Sequence, residues 1–232
     1  MESRLLRINS RFKQPNESNT DFSIIYTGVN IASIQLLKFS CMRLFPNIYP
    51  PYDTLNIDGQ ILTLPSGQYT ATELAAQITS IGYACSLNDQ KKFTFTSVAN
   101  VIEPTKLSHL ILGLPNVKVL TPVTSLSTPT LQGPDPIYVE SNDLALSNCL
   151  DSEDSGGGNI PLVWSIPNTV PHGFQLNYEL NDPSLNQIDV KNGTLSNTRL
   201  HLKITDQFGH VLTLPPNAYV DMIFKVFYRP NQ

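Results

Sequence analysis

The chain has 232 residues, which is enough for one large domain or two small ones. Only 15% of them are charged, below the roughly 25% of an average soluble domain, which fits a surface that neighbouring subunits cover. The formal net charge of −4 argues against a general nucleic-acid binder, and no apolar stretch is long enough for a transmembrane helix. Eighteen prolines and twelve glycines favour short strands and long loops over long helices.

Basic residues are concentrated at the N-terminus of this otherwise acidic chain. Within the first 13 residues only Glu2 opposes them, and the basic side chains are Arg4, Arg7, Arg11 and Lys13. Polar turn formers at residues 14–21 separate this segment from the first predicted strand, Phe22–Tyr26. We therefore predict a basic N-terminal arm over residues 1–20 and a single domain over residues 21–232. Such an arm suits an anionic partner, although an exposed terminus that simply carries charge gives the same pattern.

A buried strand, a hairpin and a helix are predicted next. Ile34–Leu44 is apolar enough for a strand that is buried on both faces. Asp58-Gly59, between two short apolar segments, is a strong hairpin signal. Thr70 and Glu73 have the spacing of a capping box, and apolar residues follow at helical spacing as far as Gly82. The helix is short and amphipathic, so we expect it to pack against a sheet.

The second half of the chain predicts further antiparallel strands joined by long loops. Phe174–Leu180 alternates, and its aromatic and leucine side chains, including Phe174, are predicted to face inward. Leu200–Thr205 and Val220–Tyr228 repeat the pattern near the C-terminus. So many short strands with long connections indicate an all-β fold, a single jelly-roll β-sandwich. Its one short amphipathic helix lies in residues 55–114, a candidate β/α insertion.

Residue types that carry chemistry do not form a recognisable site. The four histidines are not at metal-ligand spacing: His109, His172, His201 and His210. The acidic loop Asp151–Gly158 fails as a calcium loop, because Leu162 stands where a bidentate glutamate is needed. There is also no nucleophile elbow, phosphate-binding glycine loop or zinc-protease motif. We therefore predict no enzymatic activity, no cofactor and no metal.

Several short segments, taken in chain order, carry a resemblance to a known family. They are Ser10–Lys13, Ile34–Phe45, Pro46–Tyr49, Leu64–Thr70 with the following helix, Leu112–Leu114, Gly133-Pro134 with Ile137–Val139, Trp164–Pro167, and Ile204–Leu212 with the final strand. Together they resemble the minor capsid (penton) proteins of double-stranded DNA viruses in the virophage, polinton-like and adintovirus group. The resemblance extends over most of the chain.

This resemblance implies a non-enzymatic virion protein, five copies of which close each fivefold vertex of an icosahedral capsid as a homopentamer. A double jelly-roll major capsid protein would surround it, and the basic arm would reach packaged DNA or internal capsid proteins. We expect synthesis in the host cell interior without secretion, since no apolar segment of signal-peptide length opens the chain. The alternative is a carbohydrate-binding or fibre-like β-sandwich module on a virion surface. Trp164 would be its stacking platform, although a strand position favours core packing for Trp164.

Overall fold

The computed structural model describes residues 3–25, 31–97, 100–145, 161–180, 187–189 and 199–228. The chain divides into two compact units. The sandwich unit combines Met1–Phe45 with Pro134–Gln232, and the inserted unit is the continuous segment Pro46–Gly133. The inserted unit therefore interrupts the sandwich unit in sequence, and it contains residues 55–114.

Strands make up most of the regular structure in the described residues. In chain order they are β1 (Ser3–Asn9), β2 (Asp21–Ile25), β3 (Ile31–Met42), β4 (Thr54–Ile57), β5 (Gln60–Thr63), β6 (Cys85–Leu87), β7 (Phe93–Phe95), β8 (Val101–Glu103), β9 (Val119–Leu120), β10 (Val123–Thr124), β11 (Ile137–Ala145), β12 (Pro161–Ile166), β13 (Gln175–Glu179), β14 (Ile188–Asp189), β15 (Arg199–Thr205) and β16 (Val220–Tyr228). The helical elements are a 3-10 turn at Ser10–Phe12, helix α1 at Ala71–Ser80 and a π-helical turn at Leu107–Ile111. Within these described ranges, no helix has the length and apolar character needed to cross a membrane.

Two antiparallel sheets build the sandwich unit. In the β1 sheet the strands lie in the order β1-β16-β3-β13, and the short β14 also pairs with β3. In the β2 sheet the order is β12-β11-β15-β2. Without β14 and the strands of the inserted unit, the sandwich has eight described strands, which can be counted in chain order. In space, the β1 sheet contains the first, eighth, third and sixth of them, and the β2 sheet contains the fifth, fourth, seventh and second. This alternation is the jelly-roll arrangement of two Greek keys, so the predicted all-β jelly roll is confirmed.

The inner faces of the two sheets meet in an apolar core. Trp164 of β12 packs edge-to-face against Phe224 of β16, with ring centroids 5.1 Å apart, and so links one sheet to the other. Trp164 is only 5% exposed, which confirms the predicted core position. Strand β3 is buried at four consecutive residues, Ser33–Leu36, and therefore on both of its faces, as predicted.

The inserted unit has an apolar core of its own. One sheet has the order β5-β4-β8-β9 and another the order β10-β7-β6. The predicted hairpin joins β4 to β5, and Asp58 and Gly59 have the positive φ values, 54° and 77°, that a type I′ turn requires. The apolar face of α1 packs into this core. Its capping box is present, because the Thr70 N–H donates to the Glu73 carboxylate (2.8 Å) and the Glu73 N–H donates to the Thr70 hydroxyl (3.2 Å).

Two segments differ from the sequence-based expectation. Ser3–Asn9, assigned to a separate arm, forms β1 within the sandwich, where it pairs with β16 along its whole length and buries Ile8. The prediction that Phe174 faces inward is wrong, because this side chain is 63% exposed. Its backbone N–H donates to the Pro171 carbonyl (3.2 Å) in a turn that ends before β13 begins, so the strand alternation does not reach it.

The thiols of Cys41 and Cys85 are buried, and burial raises the pKa of each to about 12 because a thiolate would lose its hydration. Since the thiolate is the reactive form, both cysteines should resist a maleimide at pH 8 in the folded protein. The measurement is the intact mass of the Cys149→Ser variant, because Cys149 lies outside the described residues. Two labels per chain are expected in urea and none in buffer. Rapid labelling of the folded protein would contradict this expectation.

Candidate interaction surface

The structure places the predicted interaction residues along β1 and the turn that follows it. Arg7 forms a bidentate pair with Asp221 of β16, with Nε–Oδ1 at 3.1 Å and Nη2–Oδ2 at 2.8 Å. The guanidinium of Arg4 lies 5.6 Å from the centre of the Tyr228 ring. Both arginines are solvent-exposed, yet both contact side chains of β16. The guanidinium groups of Arg4 and Arg7 are therefore held against β16.

The other two predicted residues lie beyond the end of β1. Arg11 lies over the ring of Tyr219, 5.9 Å from its centre, directly before β16. Lys13 is half-buried, and its backbone N–H donates to the Ser10 carbonyl (3.3 Å) to close the 3-10 turn. Arg4 and Arg7 are an odd number of positions apart on one strand and therefore point to opposite faces of the β1 sheet. We call the four basic residues of β1 and the following turn the basic edge: Arg4, Arg7, Arg11 and Lys13.

The basic edge follows an outermost strand. Among the described strands β1 pairs with β16 alone, so half of its backbone groups face outward. Two large apolar side chains on or next to it are exposed, Leu5 at 70% and Phe12 at 76%. An uncovered strand edge of this kind is a template for pairing with another chain.

The β2 strand is also outermost in its sheet, but the chain itself covers that edge. The Glu17 carboxylate accepts hydrogen bonds from the backbone N–H groups of Gln14 (3.0 Å) and Ser23 (2.8 Å). The Ser18 hydroxyl accepts from the Asp21 N–H (2.8 Å), and the Ser18 N–H donates to the Asp21 carbonyl (3.1 Å). The sequence predicted Glu17 and Ser18 only as turn formers. A side chain that binds the edge of a strand has no fixed spacing in sequence from the backbone groups that it binds.

Glu17→Ala should therefore lower the free energy of unfolding by about 1–3 kcal/mol, because two backbone donors lose a charged acceptor. Glu17→Gln is the matched control and should lose less, since an amide oxygen can still accept. Both values are measured by urea unfolding, with the fluorescence of Trp164 as the probe. If Glu17→Ala is as stable as the unmodified protein, the carboxylate does not stabilise the β2 edge.

A cleft of about 530 Å³ with a mixed polar and apolar lining lies beside the covered β2 edge. Its lining includes Glu17, Asp21, Thr213 and His201, and the Nε2 atom of His201 lies 2.6 Å from Oδ1 of Asp21. The Glu17 carboxylate bonds to backbone N–H groups and the His201 ring bonds to Asp21, which holds the loop that precedes β2. Across the described part of the chain, no group of three or more His, Cys, Asp or Glu side chains could hold a metal ion. The acidic loop Asp151–Gly158 lies outside the described residues.

No protein-family model and no curated protein sequence matches this chain. Among solved structures, the chain is similar to the crystal structure of the selenomethionine-labelled mavirus penton protein. The TM-score is 0.54 at 14% sequence identity, and the match covers 99% of this chain and 100% of that chain. The fold is penton-like. The likeness extends over the sandwich unit and the inserted unit, so the jelly roll and its long insertion are both part of the shared fold.

Proposed function

We propose that this protein is a structural subunit of a viral capsid, a penton protein whose homopentamers close the fivefold vertices. The observation that carries the proposal is the penton-like fold, which extends over nearly the whole of both chains. The low fraction of charged residues supports it, because surfaces that subunits bury are depleted of charge. The uncovered β1 edge supports it as well, since it offers backbone groups to a neighbour.

On this proposal the partners are other copies of the chain and a double jelly-roll major capsid protein. Packaged DNA or internal capsid proteins would contact the basic edge as a charged surface of the sandwich. The protein would be made in the host cell interior and end in the virion. The carbohydrate-binding alternative receives no support from its candidate stacking residue, because Trp164 is 5% exposed and packs on Phe224.

The test is the absolute mass in solution, by light scattering behind a sizing column, with negative-stain images of the peak. We expect five times the 25.7 kDa of one chain and rings with fivefold symmetry, either alone or after addition of the major capsid protein. A stable trimer would favour a fibre-like module. A monomer that the major capsid protein leaves unchanged would overturn the proposal.

A further inference from the structure

We propose that β1 of one copy docks against β13 of the next copy, so that the β1 sheet continues from subunit to subunit. This inference rests on the proposed homo-oligomer and names the surface that forms it. β1 and β13 are the two opposite ends of the β1 sheet, and among the described strands each pairs with a single neighbour, β16 and β3 respectively. Exposed apolar side chains accompany both: Leu5 on β1 and Phe174 directly before β13.

The contrast between β1 and β2 singles out the β1 edge. Both strands are outermost, but only β2 has backbone groups bonded to side chains of the preceding loop, through Glu17 and Ser18. Natural sheets cover or charge their edges to avoid uncontrolled pairing. No described strand covers the outer side of β1, which carries charge instead, and charge permits pairing with a partner of opposite sign.

Strand direction permits the docking. β1 is antiparallel to β16, β16 is antiparallel to β3, and β3 is antiparallel to β13. β1 and β13 therefore run in opposite directions within one subunit. When β1 of one copy is placed beside β13 of the next, the two strands continue an antiparallel sheet.

Charge complementarity indicates the register in which β1 of one copy meets β13 of the next. One row in register across the β1 sheet consists of Arg7, Ile223, Lys38 and Glu179. Copies in a ring are related by a rotation about the ring axis, with no shift along it. If the strands run along that axis, residues of one row in one copy face residues of the same row in the next copy. Arg7 of one copy then faces Glu179 of the next, so that the Arg7–Asp221 pair of one copy lies beside the Lys38–Glu179 pair of the other. Strand β13 contains no basic residue that would oppose the arginine.

Pairing of two β1 strands with each other is disfavoured. An antiparallel pair centred on β1 would bring Arg7 of one copy diagonally close to Arg7 of the other, and like charges on facing strands destabilise a sheet. It would also be an isologous contact, which gives a dimer. The β1–β13 contact joins two different surfaces, and contacts of that type build a closed ring when the rotation between copies closes.

The experiment is cross-linking of Asn9→Cys combined with Asn177→Cys in a Cys149→Ser background. Asn9 and Asn177 are the two ends of the next row, Asn9-Asp221-Ser40-Asn177, so the cysteines should face each other across the contact. Directly opposite Cβ atoms lie about 4.5–5.5 Å apart, within reach of a short bismaleimide. We expect a ladder of linked chains that ends at the fifth band, whereas each single cysteine variant should give only monomer bands.

The control pair is Ile25→Cys with Asn177→Cys, because Ile25 is 69% exposed but belongs to the covered edge. It should give no ladder. Dimers from Asn9→Cys alone would overturn the inference in favour of β1–β1 pairing. A pentameric mass without cross-links would overturn the inference and leave the proposed function standing, whereas a monomeric mass in all conditions would overturn both. If Asn9→Cys fails to fold, Leu5→Cys with Glu179→Cys tests the same contact on the diagonal, where the two residues would lie about 7–8 Å apart.

Discussion

Replacing Phe224 by Ala is expected to lower the free energy of unfolding by about 3–5 kcal/mol, a large part of the stability of a typical domain. Phe224 is fully buried, and its ring contacts that of Trp164 with centroids 5.1 Å apart. Because the two rings belong to opposite sheets, the truncation leaves a cavity between the layers and removes an aromatic contact that joins them.

Phe12→Ala is the matched control, because the same side chain is removed at a site that is 76% exposed. Its effect should stay within about 0.5 kcal/mol. Urea unfolding followed by circular dichroism compares the two variants without relying on Trp164, whose surroundings the Phe224 substitution changes. If both variants unfold at the same urea concentration, the ring contact does not hold the sheets together.

Gly113→Ala should produce the second large loss, about 2–5 kcal/mol, by combining backbone strain with a steric clash. Gly113 has a φ of +73°, and an added Cβ would lie 2.9 Å from the carbonyl oxygen of Ser127 and closer still to its hydroxyl. The carbonyl cannot move easily, since it belongs to the backbone. The inserted unit must therefore shift locally to accept even a methyl group.

Gly59→Ala separates the two causes of that loss. Gly59 has nearly the same φ, +77°, but nothing lies within 4 Å of an added Cβ. Its loss should be limited to the strain, about 1–2 kcal/mol. Thermal unfolding by circular dichroism measures both variants. Equal losses would mean that the contact with Ser127 adds nothing to the effect of φ.

The parts of the fold that the sequence predicted correctly depend on residues close together in the chain. Asp58 and Gly59 form a turn through their own φ values, and Thr70 and Glu73 satisfy each other across one helical turn. Phe174 was predicted wrongly because the turn before β13 interrupts the strand pattern. The alternation of residues cannot show where a strand begins.

The interaction role of Arg4, Arg7, Arg11 and Lys13 stays a prediction, and the count of basic side chains could not show how the fold would hold them. Their attachment to the sheet could not be predicted, because Arg7 and its partner Asp221 are 214 positions apart. The cover of β2 by Glu17 depends likewise on a loop conformation that residue types alone do not specify.

The pairing of β1 with β16 has a consequence for the order of events during synthesis. At about 5–20 residues per second, the ribosome releases β16 roughly 10–40 s after β1. The inserted unit is continuous in sequence and can fold during that interval, whereas the one described strand that pairs with β1 has yet to be made. A partly made chain therefore cannot present the β1 edge in its docking geometry. On the proposed contact, docking through that edge must wait until β16 has been made, so that shorter chains do not dock.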